Sequence, residues 1–265
     1  MISIYGSYFG YKGMRMAECI RMVAQAGFES VTLWWSEEYD RPDYRRQPEW
    51  ARREGLVVEH VHAPLEANPI WEDSEAGQAL FGRYLQCIDD CAAFEIPTVV
   101  LHASGGGGSG IPPMSSLGLE RFRRIADYAE TRQVNVAVEN LRSQASMERT
   151  AFVLEEIDAP RLGFCFDAGH HNARASREVP WDLLARFGHR LMALHLHDNN
   201  GEDDQHRLPF DGTTDWPATM AAIAATGYQG STSLEVGYTE WYAELGPEEF
   251  LARAYERAKR LEALR

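Results

Sequence analysis

The sequence predicts an α/β fold, a single (β/α)₈ barrel, on three observations. Eight short β-rich runs alternate with longer stretches of helical periodicity. The 265 residues match the length of one such barrel and show no compositional break, so residues 1–265 are expected to form one barrel domain. The first turn, YGSYFGYKG, lacks the GxGxxG spacing of an open, doubly wound dinucleotide-binding sheet, which is the competing fold.

Taken in order, ISIYG (2–6) enters strand-like sequence directly, and MRMAECIRMVAQAG follows with helical spacing closed by a glycine. The next runs are SVTLWW (30–35) and LVVEHVH (56–62), then the long helical stretch SEAGQALFGRYLQCIDDCAAFE and the run TVVLHA (98–103). GGGGSG (105–110) resembles a flexible linker, but it falls where a barrel needs a connection from strand to helix, and a mobile loop at the barrel mouth is expected there. NVAVEN (135–140), LGFCFD (162–167), LMALHLH (191–197) and STSLEV (231–236) complete the set.

The composition excludes several function classes. A formal net charge of −14 opposes a broad surface for nucleic acid or an anionic membrane. Lys12 and Lys259 are the only lysines and neither ends a strand-like run, which disfavours Schiff-base chemistry. The four cysteines form no CxxC pair, as expected in a reducing compartment. No apolar run approaches the roughly 20 residues of a membrane span, so a soluble, cytoplasmic protein is expected.

Chemistry concentrates at the strand ends. Six of the eight runs carry, at their last residue or within two of it, a side chain able to hold a metal: His62, His102, Glu139, Asp167, His195 and Glu235. Barrel enzymes assemble their sites at that end of the sheet, so these residues are expected to meet in one cup. Two residues earlier on the same faces stand Val100, Ala137, Cys165, Ala193 and Ser233, mostly small, which leaves space beneath a cup. DAGHH adds His170 and DDQH adds Asp204 and His206. Imidazole and carboxylate together suit zinc or manganese, with cobalt, iron and magnesium as further choices, and the absence of thiolate ligands argues for an open catalytic ion. His171, His197 and Asp198 adjoin these positions and are candidates to orient ligands, with solvent exposure equally open for His171. Tyr8, Phe9, Trp34, Trp35, Trp71 and Trp241 lie near strand ends, where flat rings would pack on the C–H face of a sugar. Trp34 and Trp71, with Arg207, are the expected pocket residues, and alternation puts one of Trp34 and Trp35 toward the mouth.

The ordered stretches HVHAP, VVLHAS, VAVEN, FCFDAGHH, LHLHDNNGEDDQH and SLEV resemble the xylose-isomerase-like TIM barrels, which include sugar and sugar-phosphate isomerases and epimerases and the endonuclease IV type of phosphodiesterase. The resemblance implies one divalent ion held by Glu139, Asp167, His195 and Glu235. It further implies that the two glutamates move a proton beside a carbonyl through a metal-stabilised enediolate, with His170 contacting substrate oxygens. Two positions depart from the epimerase pattern: Ala145 stands where some members carry a second glutamate, and Gly201 where they carry an arginine, for which Arg142 or Arg207 are candidate substitutes. The endonuclease IV branch uses nine ligands for three zinc ions, and all nine have counterparts in His62, His102, Glu139, Asp167, His170, His195, Asp204, His206 and Glu235. PFDGTTDW resembles the sugar-acting members. The expected activity is therefore isomerisation or epimerisation of a small sugar or sugar phosphate. Phosphoester hydrolysis is the alternative, and a non-catalytic, metal-containing sugar-binding barrel is a third reading. Nucleic acid is disfavoured as a partner, no membrane is expected, and a homo-oligomer is compatible with related isomerases.

Overall fold

The computed structural model describes residues 1–5, 14–37, 43–105, 111–173 and 182–265. Tyr8, Phe9 and residues 106–110 of the glycine-rich run lie outside the described residues. The strands are β1 (Ile2–Tyr5), β2 (Ser30–Trp34), β3 (Val57–His62), β4 (Thr98–His102), β5 (Asn135–Glu139), β6 (Leu162–Asp167), β7 (Leu191–His195) and β8 (Thr232–Leu234). Between and after them run α1 (Met16–Gln25), α2 (Gln47–Arg53), α3 (Glu75–Ala93), α4 (Ser116–Arg132), α5 (Gln144–Glu156), α6 (Ala168–Asn172), α7 (Leu183–Phe187), α8 (Trp216–Ala225) and α9 (Pro247–Glu262).

All seven strand pairings are parallel, in the order β7-β6-β5-β4-β3-β2-β1-β8. The remaining seam is joined by one bridge, in which Leu196 N donates to Ser233 O at 2.9 Å and Glu235 N to Leu196 O at 3.1 Å. The result is a nearly closed eight-stranded barrel. The expected seventh strand reaches residue 197, but β7 stops at His195 because beyond it only that single bridge continues the ladder.

Period-two alternation separates two cores. On β4, Val99 and Leu101 belong to the large core under the helices, whereas Val100 joins Ala137, Cys165 and Ala193 in a small buried cluster inside the barrel. Helices α3, α4 and α5 start where the sequence supplies acceptors: Ser74, Ser115 and Ser143 accept from Gly77 N, Gly118 N and Ser146 N at 3.1, 3.0 and 3.2 Å. Among the described residues no helix is long and apolar enough to cross a membrane.

Candidate metal centre and substrate cup

His62, His102, Glu139, Asp167 and His195 are the last residues of β3 to β7, and Glu235 follows β8 directly. Parallel register therefore brings all six to one end of the barrel. There they meet α6, which carries His170, and the loop after β7, which carries Asp204 and His206. A cavity of about 190 Å³ opens among Trp34, Leu65, Leu141 and seven of these ionisable residues.

Glu139 is the hub. Its Oε2 lies 3.1 Å from His62 Nε2, 3.3 Å from His102 Nε2 and 3.2 Å from His195 Nδ1, and its Oε1 lies 3.3 Å from His170 Nδ1. Burial opposes ionisation of this carboxyl, yet the charge of His195 and the contacts from His102 and His170 hold it well below the usual carboxylate range. Glu235 behaves alike: burial opposes its charge, and His195 brings it down to about 2. Burial works against the imidazolium of His170, but Asp167 and Asp204 push its pKa well up. At His206 burial is outweighed by Asp204 and the pKa rises to about 9.

The histidine tautomers follow from backbone acceptors. A carbonyl oxygen can only accept, so a ring nitrogen that meets one must carry the proton. His62 Nδ1 donates to Ala63 O at 2.6 Å, His170 Nδ1 to Asn140 O at 2.9 Å and His206 Nδ1 to Glu235 O at 2.9 Å. Each of these rings thereby turns Nε2 toward a carboxylate: Glu139 for His62, and Asp204 for His170 and His206 at 3.3 and 3.2 Å. Two acceptors facing each other need a proton or a cation between them. Either the imidazoles are doubly protonated or a metal ion takes that place.

The donor set fits a divalent ion. His195 Nδ1 and Glu235 Oε2 stand 2.8 Å apart and buried, and neither has a hydrogen-bond partner. One donor atom from each of Glu139, Asp167, His195 and Glu235 falls within 4.8 Å of the others, all four residues being buried. Two further groups satisfy the same spacing: His62 with Glu139 and His195, and His170 with His197, Asp204 and His206.

Neighbouring side chains hold this assembly. Asn140 clasps the end of β6, accepting from Asp167 N at 2.8 Å and donating to Asp167 O at 2.9 Å. His197, at 0% exposure, lies 3.2 Å from Asp167 Oδ2 and stacks on His206 with centroids 4.0 Å apart. Asp198 does not orient a ligand. Its carboxylate gathers the following loop, accepting from Asn199 N, Phe210 N, Thr214 N, Thr214 Oγ1 and Trp216 Nε1 at 2.8–3.1 Å. His171 is half-buried against Phe166, outside the cup.

The aromatic expectations divide. Trp34 lines the cup and stacks on His62 at 4.6 Å, while Trp35 turns into the helical layer and donates to Asp90 Oδ2 at 2.9 Å. Trp71, expected in the pocket wall, is instead a core residue. Its Nε1 donates to Ala103 O at 2.6 Å, and its ring packs on Phe122 and Phe152 over Gly118, where a Cβ would come within 2.2 Å. Arg207, also expected in the pocket, lies outside the cup lining with its guanidinium 3.8 Å over the exposed Trp241 ring. Arg142 is likewise absent from the lining. The sequence reading missed Leu65 and Leu141, which have no ionisable signature. It also missed Tyr5 and His60, although the spacing that yields Val100 from His102 yields His60 from His62.

The chain belongs to the xylose isomerase-like TIM barrel family, whose family model matches residues 20–261. The uncharacterized protein y4fM of Sinorhizobium fredii is 30% identical over 238 residues, covering 79% of this chain and 75% of that protein. Among solved structures, the IOLI protein with a binding zinc atom superposes with a TM-score of 0.79 at 14% identity over 98% of both chains. D-psicose 3-epimerase with D-tagatose, from Clostridium cellulolyticum H10, gives 0.76 at 15% identity over 98% of this chain and 99% of that one. At such identities the structural likeness establishes the fold. The chain spans 42% of a fusion of a xylose isomerase-like TIM barrel with 4-hydroxyphenylpyruvate dioxygenase.

Proposed function

We propose that the protein is a divalent-metal-dependent isomerase or epimerase of a small sugar or sugar phosphate. The supporting observation is the buried Glu139, Asp167, His195 and Glu235 set, with donor atoms within 4.8 Å, in a cup walled on its apolar side by Trp34, Leu65 and Leu141. An ion held by these four, with zinc or manganese favoured by the ligand chemistry, would draw electron density from a substrate carbonyl and acidify the adjacent C–H. Glu139 and Glu235 both approach His195 Nδ1, at 3.2 and 2.8 Å, and so flank one point from two strands. In this reading one carboxylate removes the proton and the other returns it on the opposite face. His170, with Nε2 turned toward Asp204, contacts substrate oxygens, and Trp34 packs on the sugar C–H face. The test is exchange of deuterium from D₂O into a panel of ketoses and their phosphates. Glu139→Gln and Glu235→Gln should each abolish it, and exchange retained in both variants removes them as the acid–base pair.

A second reading, metal-dependent phosphoester hydrolysis of the endonuclease IV type, is favoured by the additional donors. His62 and His102 reach Glu139 at 3.1 and 3.3 Å, and His170, Asp204 and His206 form their own group, enough for more than one ion. Against it, no lysine or arginine appears among the described residues lining the cup, and the net charge is −14. Incubation with an abasic-site duplex across zinc, manganese, cobalt and magnesium decides it, since failure of incision with every metal removes this reading. Metal retention with neither activity would support the non-catalytic sugar-binding barrel.

A further inference from the structure

Three of the cup's histidines have a backbone carbonyl to fix their tautomer, as described above, and His195 has a different arrangement. Its Nδ1 faces the two glutamates, and its Nε2 points down into the barrel, 3.0 Å from Tyr5 Oη and 3.2 Å from His60 Nε2. Tyr5 comes from β1 and His60 from β3, so the contacts join three strands. Tyr5 and His195 are 0% exposed and His60 1%, which keeps water from competing for these bonds. The His60 and His195 rings lie 23° from parallel with centroids 5.3 Å apart, and the Tyr5 ring stands edge-on to His195.

His60 spends its polar capacity on one side. Its Nε2 also lies 3.4 Å from Thr32 Oγ1, which is 3.1 Å from Ser233 Oγ, while its Nδ1 has no hydrogen-bond partner. Leaving a buried ring nitrogen unpaired is unfavourable, because its lost hydration is not replaced. A side chain kept only to fill this space would be better as leucine.

Proton counting assigns the pair a role. A neutral imidazole has one proton, and if Nδ1 is to offer its lone pair to a cation, that proton sits on Nε2 and needs an acceptor there. Tyr5 Oη and His60 Nε2 lie within reach of it, and both are uncharged, as is the Cys165 thiol, which also contacts the His195 ring and which burial pushes up to about 12. A carboxylate in that place would pull on the proton and make His195 a more basic ligand. A phenol and an imidazole hold the same tautomer without adding negative charge behind the site, which leaves the ion a stronger electron acceptor.

We propose that Tyr5 and His60 are positioning residues that hold His195 in its Nε2–H tautomer with Nδ1 aimed into the cup. The inference rests on the reading of His195 as a metal ligand, and it predicts metal affinity rather than turnover.

The test uses the full chain with His195→Ala, Tyr5→Phe, His60→Leu and His60→Gln. Zinc affinity is measured by competition with a chromophoric chelator, and imidazole ¹⁵N shifts are recorded on the zinc-loaded wild type. Tyr5→Phe and His60→Leu should each weaken zinc about 10-fold or more. His60→Gln, whose amide oxygen can accept the proton, should recover most of that loss, which a purely structural role for the ring would not produce. The ¹⁵N spectrum should place the His195 proton on Nε2. Unchanged zinc affinity in both Tyr5→Phe and His60→Leu, or a proton on Nδ1, overturns the proposal. His195→Ala separates the two failures: if it leaves affinity unchanged, the metal-ligand reading falls together with the proposal. If it abolishes binding while the other variants bind normally, the proposal alone falls. Tyr5→Phe preserves the buried ring and keeps the result interpretable should His60→Leu fail to fold.

Discussion

Replacing Gly169 with alanine tests how tightly the candidate site is packed. A Cβ at Gly169 would stand 1.9 Å from His197 Cε1, 2.2 Å from its Nδ1 and 2.5 Å from its Nε2. Carbon atoms in contact need about 3.5–4.0 Å, so the ring or the start of α6 would have to move by roughly 1.5–2 Å. The ring has nowhere to go, being stacked on His206 at 4.0 Å and bonded to Asp167 at 3.2 Å. Overpacking of this kind costs about 1–3 kcal/mol, and loss of the hydrogen bond to a carboxylate adds about 1.5–3 kcal/mol. Alanine's better helix propensity returns about 1 kcal/mol. The net loss is roughly 1.5–5 kcal/mol, which at about 2 °C per kcal/mol for a chain of this size lowers the Tm by about 3–10 °C. Urea and thermal unfolding of Gly169→Ala, His197→Ala and the double variant give the measurement. Removing the ring should relieve the clash, so the double variant should be more stable than the sum of the single losses predicts. Gly169→Ala within about 0.5 kcal/mol of wild type, or strictly additive effects, would refute the packing argument.

Three further outcomes are expected. In metal-free protein the Asp204 carboxylate lifts the His206 pKa from the ordinary imidazole value of about 6.5 to about 9, so its stabilisation is complete below about pH 6.5 and is lost as the pH climbs through 9. Urea midpoints across that range should fall for wild type and stay flatter for His206→Gln, and parallel slopes would contradict the assignment. Asp198→Asn puts an NH₂ against backbone and indole donors that now meet an oxygen, and should cost about 2–4 kcal/mol, read by urea unfolding. Trp71→Phe removes the bond to Ala103 O and part of a core ring. It should lower stability by roughly 1–3 kcal/mol while leaving zinc affinity unchanged, and a weakened zinc affinity would return Trp71 to the site.

The barrel was legible because its signal is local. In TVVLH and NVAVE the alternation of side chains is a property of extended backbone, so strand position, inner and outer face and the metal-capable end residues could be read without knowing any partner. The same alternation turns Trp34 to the mouth and Trp35 to the helices. Trp71 misled because it follows a strand only in sequence. The chain between β3 and α3 carries it outward onto Gly118 of α4, a contact that no spacing encodes.

The amino-acid sequence by itself determined the eight strands and the chemistry carried at their ends, since both depend on residues near one another along the chain. Only the tertiary structure decided which atoms meet. Closure of the sheet brings His62, His102, His170 and His195 onto one carboxylate, Glu139, and sets Tyr5 and His60 behind His195. The direction of each ring nitrogen depends on acceptors supplied by distant segments, such as Asn140 O for His170 and Glu235 O for His206. Backbone periodicity chooses a face, but a tautomer is chosen by what lies across from it.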